Sequence, residues 1–123
     1  MMDRRGGVII NMLSTAFRSA NGRSHAYGPA KAALRNFTMN LAVEFGPSGI
    51  RVNSVSPGST SSPGFTSRHR SPAEVEELRQ KAPLRRIAAP EEVAETVVFL
   101  SSDASRHITG ADIPVNGGAF LTL

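Results

Sequence analysis

Tyr27 is the single tyrosine of this 123-residue chain, and Lys31 follows it by four positions in the run YGPAK. Ser14 stands thirteen residues before that tyrosine. On a helix, residues four apart share a face, so the lysine ammonium can lie near the phenol. A neighbouring positive charge favours phenolate, which readies a phenol to exchange a proton with an alcohol or carbonyl oxygen. A serine hydroxyl held close by can hydrogen-bond that same oxygen. Together the three groups could supply the acid–base half of a hydride transfer to a carbonyl. Taken singly they are ordinary: YxxxK suits an exposed helix with a solvated lysine, and a serine commonly ends a strand.

The flanking sequence supplies elements able to position them. Residues 7–13 (GVIINML) form a short apolar run ending at Ser14, the composition of a strand covered on both faces. Residues 19–24 are polar, contain Asn21-Gly22, and read as a loop. Apolar positions Ala30, Ala33, Leu34, Phe37, Leu41 and Phe45 recur at helical spacing over 26–45, and Gly46-Pro47 ends that helix. Phe37, Leu41 and Phe45 suit core or subunit packing better than ligand contact. Residues 50–56 (IRVNSVS) alternate apolar and polar side chains as a second strand, closed by Pro57-Gly58. A loop rich in serine, proline and glycine spans 59–70.

Ser71-Pro72-Ala73-Glu74 is a capping box with proline at the first helical position, opening a helix that runs to Lys81. Pro90-Glu91-Glu92 starts another, with Val93, Val97 and Leu100 as its buried stripe. Residues 111–115 suit a third strand, and Pro114, lacking a backbone donor, argues for the edge of the sheet. Asn116-Gly117-Gly118 reads as a turn. The alternation of strand and helix predicts an α/β fold: a three-layer sandwich of about three parallel strands with crossover helices.

Composition narrows the function classes. Apolar residues make up 40% and charged residues 20%, ordinary for a globular domain, and the length suits one domain. With no cysteine there is no disulfide and no thiolate chemistry. His25, His69 and His107 share no metal-ligand spacing, so no metal site is expected. The net charge of +4 comes from arginines scattered along the chain without interleaved aromatics, which disfavours nucleic acid. No stretch approaches a membrane span and no signal peptide is evident, so a cytoplasmic protein is expected.

The motifs in order resemble the C-terminal half of the short-chain dehydrogenase/reductases, of the 3-oxoacyl-carrier-protein-reductase type. GVIINMLS is similar to the family's strand ending in the catalytic serine, and YGPAK to its tyrosine–lysine signature. GIRVNSVSPG, residues 49–58, resembles the strand and turn that approach the nicotinamide. Residues 83–118 resemble the closing helix and strand. The resemblance implies NAD or NADP as cofactor and a small alcohol or ketone as substrate. It assigns Tyr27 as general acid/base, Ser14 as the group orienting the carbonyl, and Lys31 as support for the phenolate and holder of the nicotinamide ribose. Pro57, Gly58, Thr60 and Ser62 would face the carboxamide end of the cofactor, and residues 59–70 would be the variable substrate loop. A homo-oligomer, tetramer or dimer, is the family's usual assembly.

Some positions depart from that pattern. Phe17 stands where a small residue is usual, which would reduce substrate space near Ser14. Leu13 replaces a common serine, Asn116 a frequent aspartate, and Pro29 falls in the first helical turn, where its missing donor costs little. The family's glycine-rich turn after a first strand, which meets the pyrophosphate, has no counterpart here. Neither do its catalytic asparagine and the residue that selects NAD or NADP. Residues 1–123 are therefore expected to be the C-terminal portion of one Rossmann-type domain, lacking the N-terminal nucleotide-binding half. A clipped or split reading frame with little activity alone is the expectation. A catalytically silent remnant or oligomerisation module is the alternative.

Overall fold

The computed structural model describes residues 6–19, 25–61 and 71–120. Three parallel strands, β1 (Gly7–Met12), β2 (Ile50–Pro57) and β3 (Asp112–Val115), form one sheet in the order β1-β2-β3. Three α-helices accompany them: α1 (Tyr27–Phe45), α2 (Pro72–Lys81) and α3 (Pro90–Ser101). The expected elements are all present, with ends shifted by a residue at most. The loop expected at 19–24, beyond Ser19, and most of 59–70 lie outside the described residues.

The central strand separates two apolar layers. Ile50 and Val52 pack with Ala42 of α1, joined by Ile9, Leu41 and Phe45. Val55 faces the other way, with Val93 and Leu100 of α3, Ile10 and Ile113. Strand residues alternate between faces, so α1 covers one face and α3 the other. This is the three-layer arrangement expected. Arg51 of β2 donates to the carbonyls of Leu100 and Ser102 at the C-terminus of α3, where cationic donors complement the helix dipole, and to that of Ile108 on the approach to β3.

One strand reading needs correction. β1 looked buried on both faces, yet its residues are only half-buried and Met12 is exposed. The physical reason is its position: β1 is an edge strand, and among the described residues nothing pairs with its outer side. In β2, whose side chains alternate apolar and polar, Val52 through Ser56 are all buried. Its polar side chains find partners inside instead. Asn53 donates to the Ile108 carbonyl at 2.8 Å and accepts from Ala111 N at 3.0 Å, stitching β2 to the approach of β3. Pro114 does sit in an edge strand, as its missing donor required.

Helix starts follow sequence chemistry. Ser71 accepts from Glu74 N and Glu74 returns the bond to Ser71 N, the full capping box expected for α2. At α3 the cap residue is Ala89, so only the acidic half operates: the Glu92 carboxylate accepts from Ala89 N at 2.8 Å and receives Arg86 on both oxygens at 2.6 Å. The Arg86 hydrogen bond, followed by that from Ala89, holds the Glu92 carboxyl down to about 2. A carboxylate with a folded value near 2 and an unfolded value near 4.5 stabilises the fold fully above about pH 4.5. That contribution is lost as pH falls toward 2 and is absent below it. Glu92→Gln should therefore lower the melting temperature at neutral pH, with the difference from the parent chain shrinking between pH 4.5 and 2. Melts recorded across that window check this, and a constant difference would refute it.

Candidate active site

Ser14 follows β1 by two residues and caps a single 3-10 turn, Thr15–Arg18. Its Oγ accepts from Ala16 N at 3.2 Å, so the hydroxyl proton remains able to donate elsewhere. In this the plain reading of Ser14, a serine ending a strand, is also true. Thr15, buried, donates across to the carbonyl of Pro57 at 3.4 Å. Leu13 N donates to Val55 O at 2.8 Å, extending the β1–β2 ladder to the turn. Backbone pairing thus brings the serine beside the C-terminal end of β2.

Tyr27 is the first residue of α1, and its ring is 53% exposed, which leaves the phenol open to a reacting group. Lys31, one turn later, donates from Nζ to the Met12 carbonyl at 2.7 Å, with Nζ 5.6 Å from the centre of the Tyr27 ring. The ammonium is therefore held at the end of β1, over the phenol, on the helix face that the four-residue spacing implied. Between them, Gly28 is buried against the turn: a Cβ there would stand 3.2 Å from the Ala16 carbonyl oxygen. Absence of a side chain lets the start of α1 close onto the Ser14 turn. Ser14, Tyr27 and Lys31 are accordingly gathered at one end of β1.

Pro57 closes β2, and Gly58 N donates to Val115 O at 2.9 Å. A Cβ at Gly58 would come within 2.8 Å of the Asn116 Cβ, so only glycine fits beside β3 at this point. Thr60 donates from Oγ1 to the Gly58 carbonyl at 3.3 Å and forms a parallel bridge with Ala88. Pro57 ends β2, and Gly58 and Thr60 lie just beyond it, next to the strand end that carries Ser14. Ser62 lies outside the described residues.

One cluster was not singled out from the sequence. Arg18, ending the Ser14 turn, forms an ion pair with Asp112 of β3 at 2.8 Å, and the carboxylate is almost wholly buried. Its other oxygen accepts from Ser54 Oγ at 2.9 Å and Ser56 Oγ at 2.7 Å. The available signals were Asp112 in a short apolar strand and serines at alternate positions of β2. The partner, 94 residues away, carried none.

A cleft of about 560 Å³ opens elsewhere, lined by Leu78, Pro83, Leu84, Val115 and Asn116 among others, and none of Ser14, Tyr27 and Lys31 lines it. Among the described residues no cluster of three or more histidine, aspartate or glutamate side chains could hold a metal. No helix among them is long and apolar enough to cross a membrane.

Residues 1–119 match the family model described as enoyl-(acyl carrier protein) reductase. The chain is 39% identical over 122 residues to a 3-oxoacyl-[acyl-carrier-protein] reductase of Pseudomonas aeruginosa, covering 99% of this chain and 49% of that one. It superposes on a 3-oxoacyl-[acyl-carrier protein] reductase of Brucella melitensis with a TM-score of 0.92 at 32% identity, covering 99% of this chain and 45% of that one. A 7α-hydroxysteroid dehydrogenase, solved with NADH and a 7-oxo bile acid conjugate, matches with a TM-score of 0.91 at 31% identity, over 96% of this chain and 46% of that one. The chain spans about half the length of the curated relatives it matches, 40% of one and 51% of another.

The tight contact at Gly28 yields a test of this geometry. Gly28→Val should push α1 off the Ser14 turn and cost about 1–3 kcal/mol, the usual penalty of overpacking. Urea unfolding would measure the cost, and the Ala16 amide resonance would report the displaced turn. An unchanged Ala16 resonance would show that Gly28 does not set the spacing.

Proposed function

The chain belongs to the short-chain dehydrogenase/reductase family, and from that premise we propose that it is the proton-transfer half of an NAD- or NADP-dependent oxidoreductase acting on a small alcohol or ketone. The observation that carries this is the gathering of Ser14, Tyr27 and Lys31 at the end of β1, with Lys31 held by the Met12 carbonyl.

In the reducing direction, Tyr27 gives its Oη proton to the substrate oxygen as that oxygen gains charge. Ser14, whose Oγ accepts from Ala16 N, donates its own proton to the same oxygen and orients it. Donors preset toward a developing oxyanion stabilise it without reorganising. Lys31 places a positive charge 5.6 Å from the centre of the Tyr27 ring. In the oxidising direction the phenolate takes the alcohol proton. A bound nicotinamide dinucleotide supplies or accepts the hydride.

The residues present fit one end of such a cofactor. Lys31 has an exposed ammonium with donors beyond the one given to Met12, suited to ribose hydroxyls. Gly58, with no room for a side chain, and Thr60 form a narrow turn suited to the flat carboxamide, joined by Pro57 and, in sequence, Ser62. No glycine-rich turn leads from a strand into a helix among the described residues, so the grip on the pyrophosphate is not theirs. Activity is therefore proposed to be slight for residues 1–123 alone.

Homo-oligomeric assembly belongs to the same reading. Phe37 and Val43 on α1, and Val98 and Phe99 on α3, are exposed apolar side chains of the kind subunit contacts cover. Sedimentation equilibrium giving a monomer at all concentrations would refute that assembly.

Reduced nicotinamide mononucleotide tests the site without needing a pyrophosphate grip. Titrated into the labelled chain, it should shift the amide resonances of Lys31, Gly58 and Thr60 with millimolar affinity. No shift at any of them would end the cofactor assignment. In any preparation that oxidises an alcohol, Tyr27→Phe should lower kcat by about 10²-fold or more while dinucleotide affinity holds. Retained turnover would remove Tyr27 from its role.

A further inference from the structure

We propose that Arg18 and Asp112 are positioning residues for Ser14, fastening the serine's turn to the far strand β3. The proposal rests on the reading of Ser14 as the group that orients the substrate oxygen. It concerns how that hydroxyl is held, which the catalytic triplet leaves open.

The turn Thr15–Arg18 is only four residues long, and Ser14 is its cap. Such a short element has no hydrophobic face of its own to dock, so its place depends on discrete contacts. Three exist. Thr15 reaches the Pro57 carbonyl at its start, though the bond is long at 3.4 Å. Gly28 abuts the Ala16 carbonyl at its middle. Arg18 at its end crosses over β2 to Asp112 at 2.8 Å. The third is the strongest in kind, a charge-assisted bond largely removed from water.

Asp112 is itself oriented before Arg18 arrives. Ser54 and Ser56, neighbours on one face of β2, both donate to Oδ1, leaving Oδ2 for the guanidinium. The carboxylate thus cannot swing away, and the arginine meets a fixed acceptor. Arg18 is further confined by the Phe17 ring, whose centre lies 4.7 Å from the guanidinium carbon. Phe17 is the bulky residue where a small one is usual, so the same contact also holds that ring.

Energetics favour a positioning role over a stabilising one. A buried ion pair with its supporting hydroxyls is often no more stable than apolar side chains of similar volume. Here the Arg18 Nε is buried with no hydrogen-bond partner, a cost that a pure packing solution would not carry. What four polar side chains achieve, and apolar ones would not, is a directional tie between β3 and the turn.

Amide–water exchange in the labelled 123-residue chain tests the tie without substrate or dinucleotide. Its failure is therefore distinct from failure of the catalytic reading. Ala16 N reports directly on Ser14 Oγ, and Val52 N, bonded to Thr109 Oγ1 in the core, serves as control. Asp112→Asn and Arg18→Gln should each raise exchange at Ala16 about tenfold or more while Val52 changes less than about twofold. Arg18→Lys, which keeps the charge, should restore at least half of the lost protection. Unchanged exchange at Ala16 would overturn the proposal, and so would a parallel rise at Val52, since that marks general loosening. If neither removal variant folds, Ser54→Ala/Ser56→Ala leaves the ion pair in place and frees only the carboxylate. It should still raise Ala16 exchange about threefold, and no rise would overturn the proposal equally.

Discussion

The parallel pairing of β1 with β2, from Gly7 opposite Ile50 to Met12 opposite Val55, governs where every side chain of interest ends up. It brings Leu13 N to Val55 O, so the chain leaves β1 level with Ser56 and Pro57. Ser14 follows at that level, and the carbonyl of Met12 is left to receive Lys31. A slip of one residue would turn Ile9 and Ile10 to the wrong faces, undoing both apolar layers. The register that holds the core is therefore the register that assembles the site.

Much of this was legible in the sequence because it is local. The spacing of Tyr27 and Lys31 is a helical repeat, and both landed on one face of α1. The capping box at Ser71 and Glu74 is a four-residue signal, and it formed in full. Pro114 marked an edge strand because a missing donor cannot be hidden. What failed was inference about surroundings. GVIINML looks like a central strand, but burial depends on neighbours that a stretch of sequence does not name. Nor does IRVNSVS by itself indicate that Ser54 and Ser56 are buried around a carboxylate 56 residues or more away. Non-local polar pairs leave no periodicity to detect.

Family membership and chemistry rest on different footing here. The fold and the order of motifs are those of short-chain dehydrogenase/reductases. The proposed reaction depends on three side chains and one strand end, since a shared fold does not set function. The cleft of about 560 Å³ borders Ser59 and the end of β3 but is lined by none of those three side chains, so enclosure alone does not point to them. Chemistry-bearing geometry, an exposed phenol beside an anchored ammonium, is the better guide.

The ion pairs of this molecule fall into two populations by depth. Arg79 with Glu76, Lys81 with Glu77, and Arg86 with Glu92 lie at the surface, whereas Arg18 and Asp112 are sheltered. Dissolved salt shortens the reach of exposed charges and weakly affects sheltered ones. Raising ionic strength would therefore soften α2 and the entry to α3 while the strand end bearing the serine keeps its shape. A serine turn that ignores brine, flanked by helices that feel it, follows from nothing more than which carboxylate is sheltered.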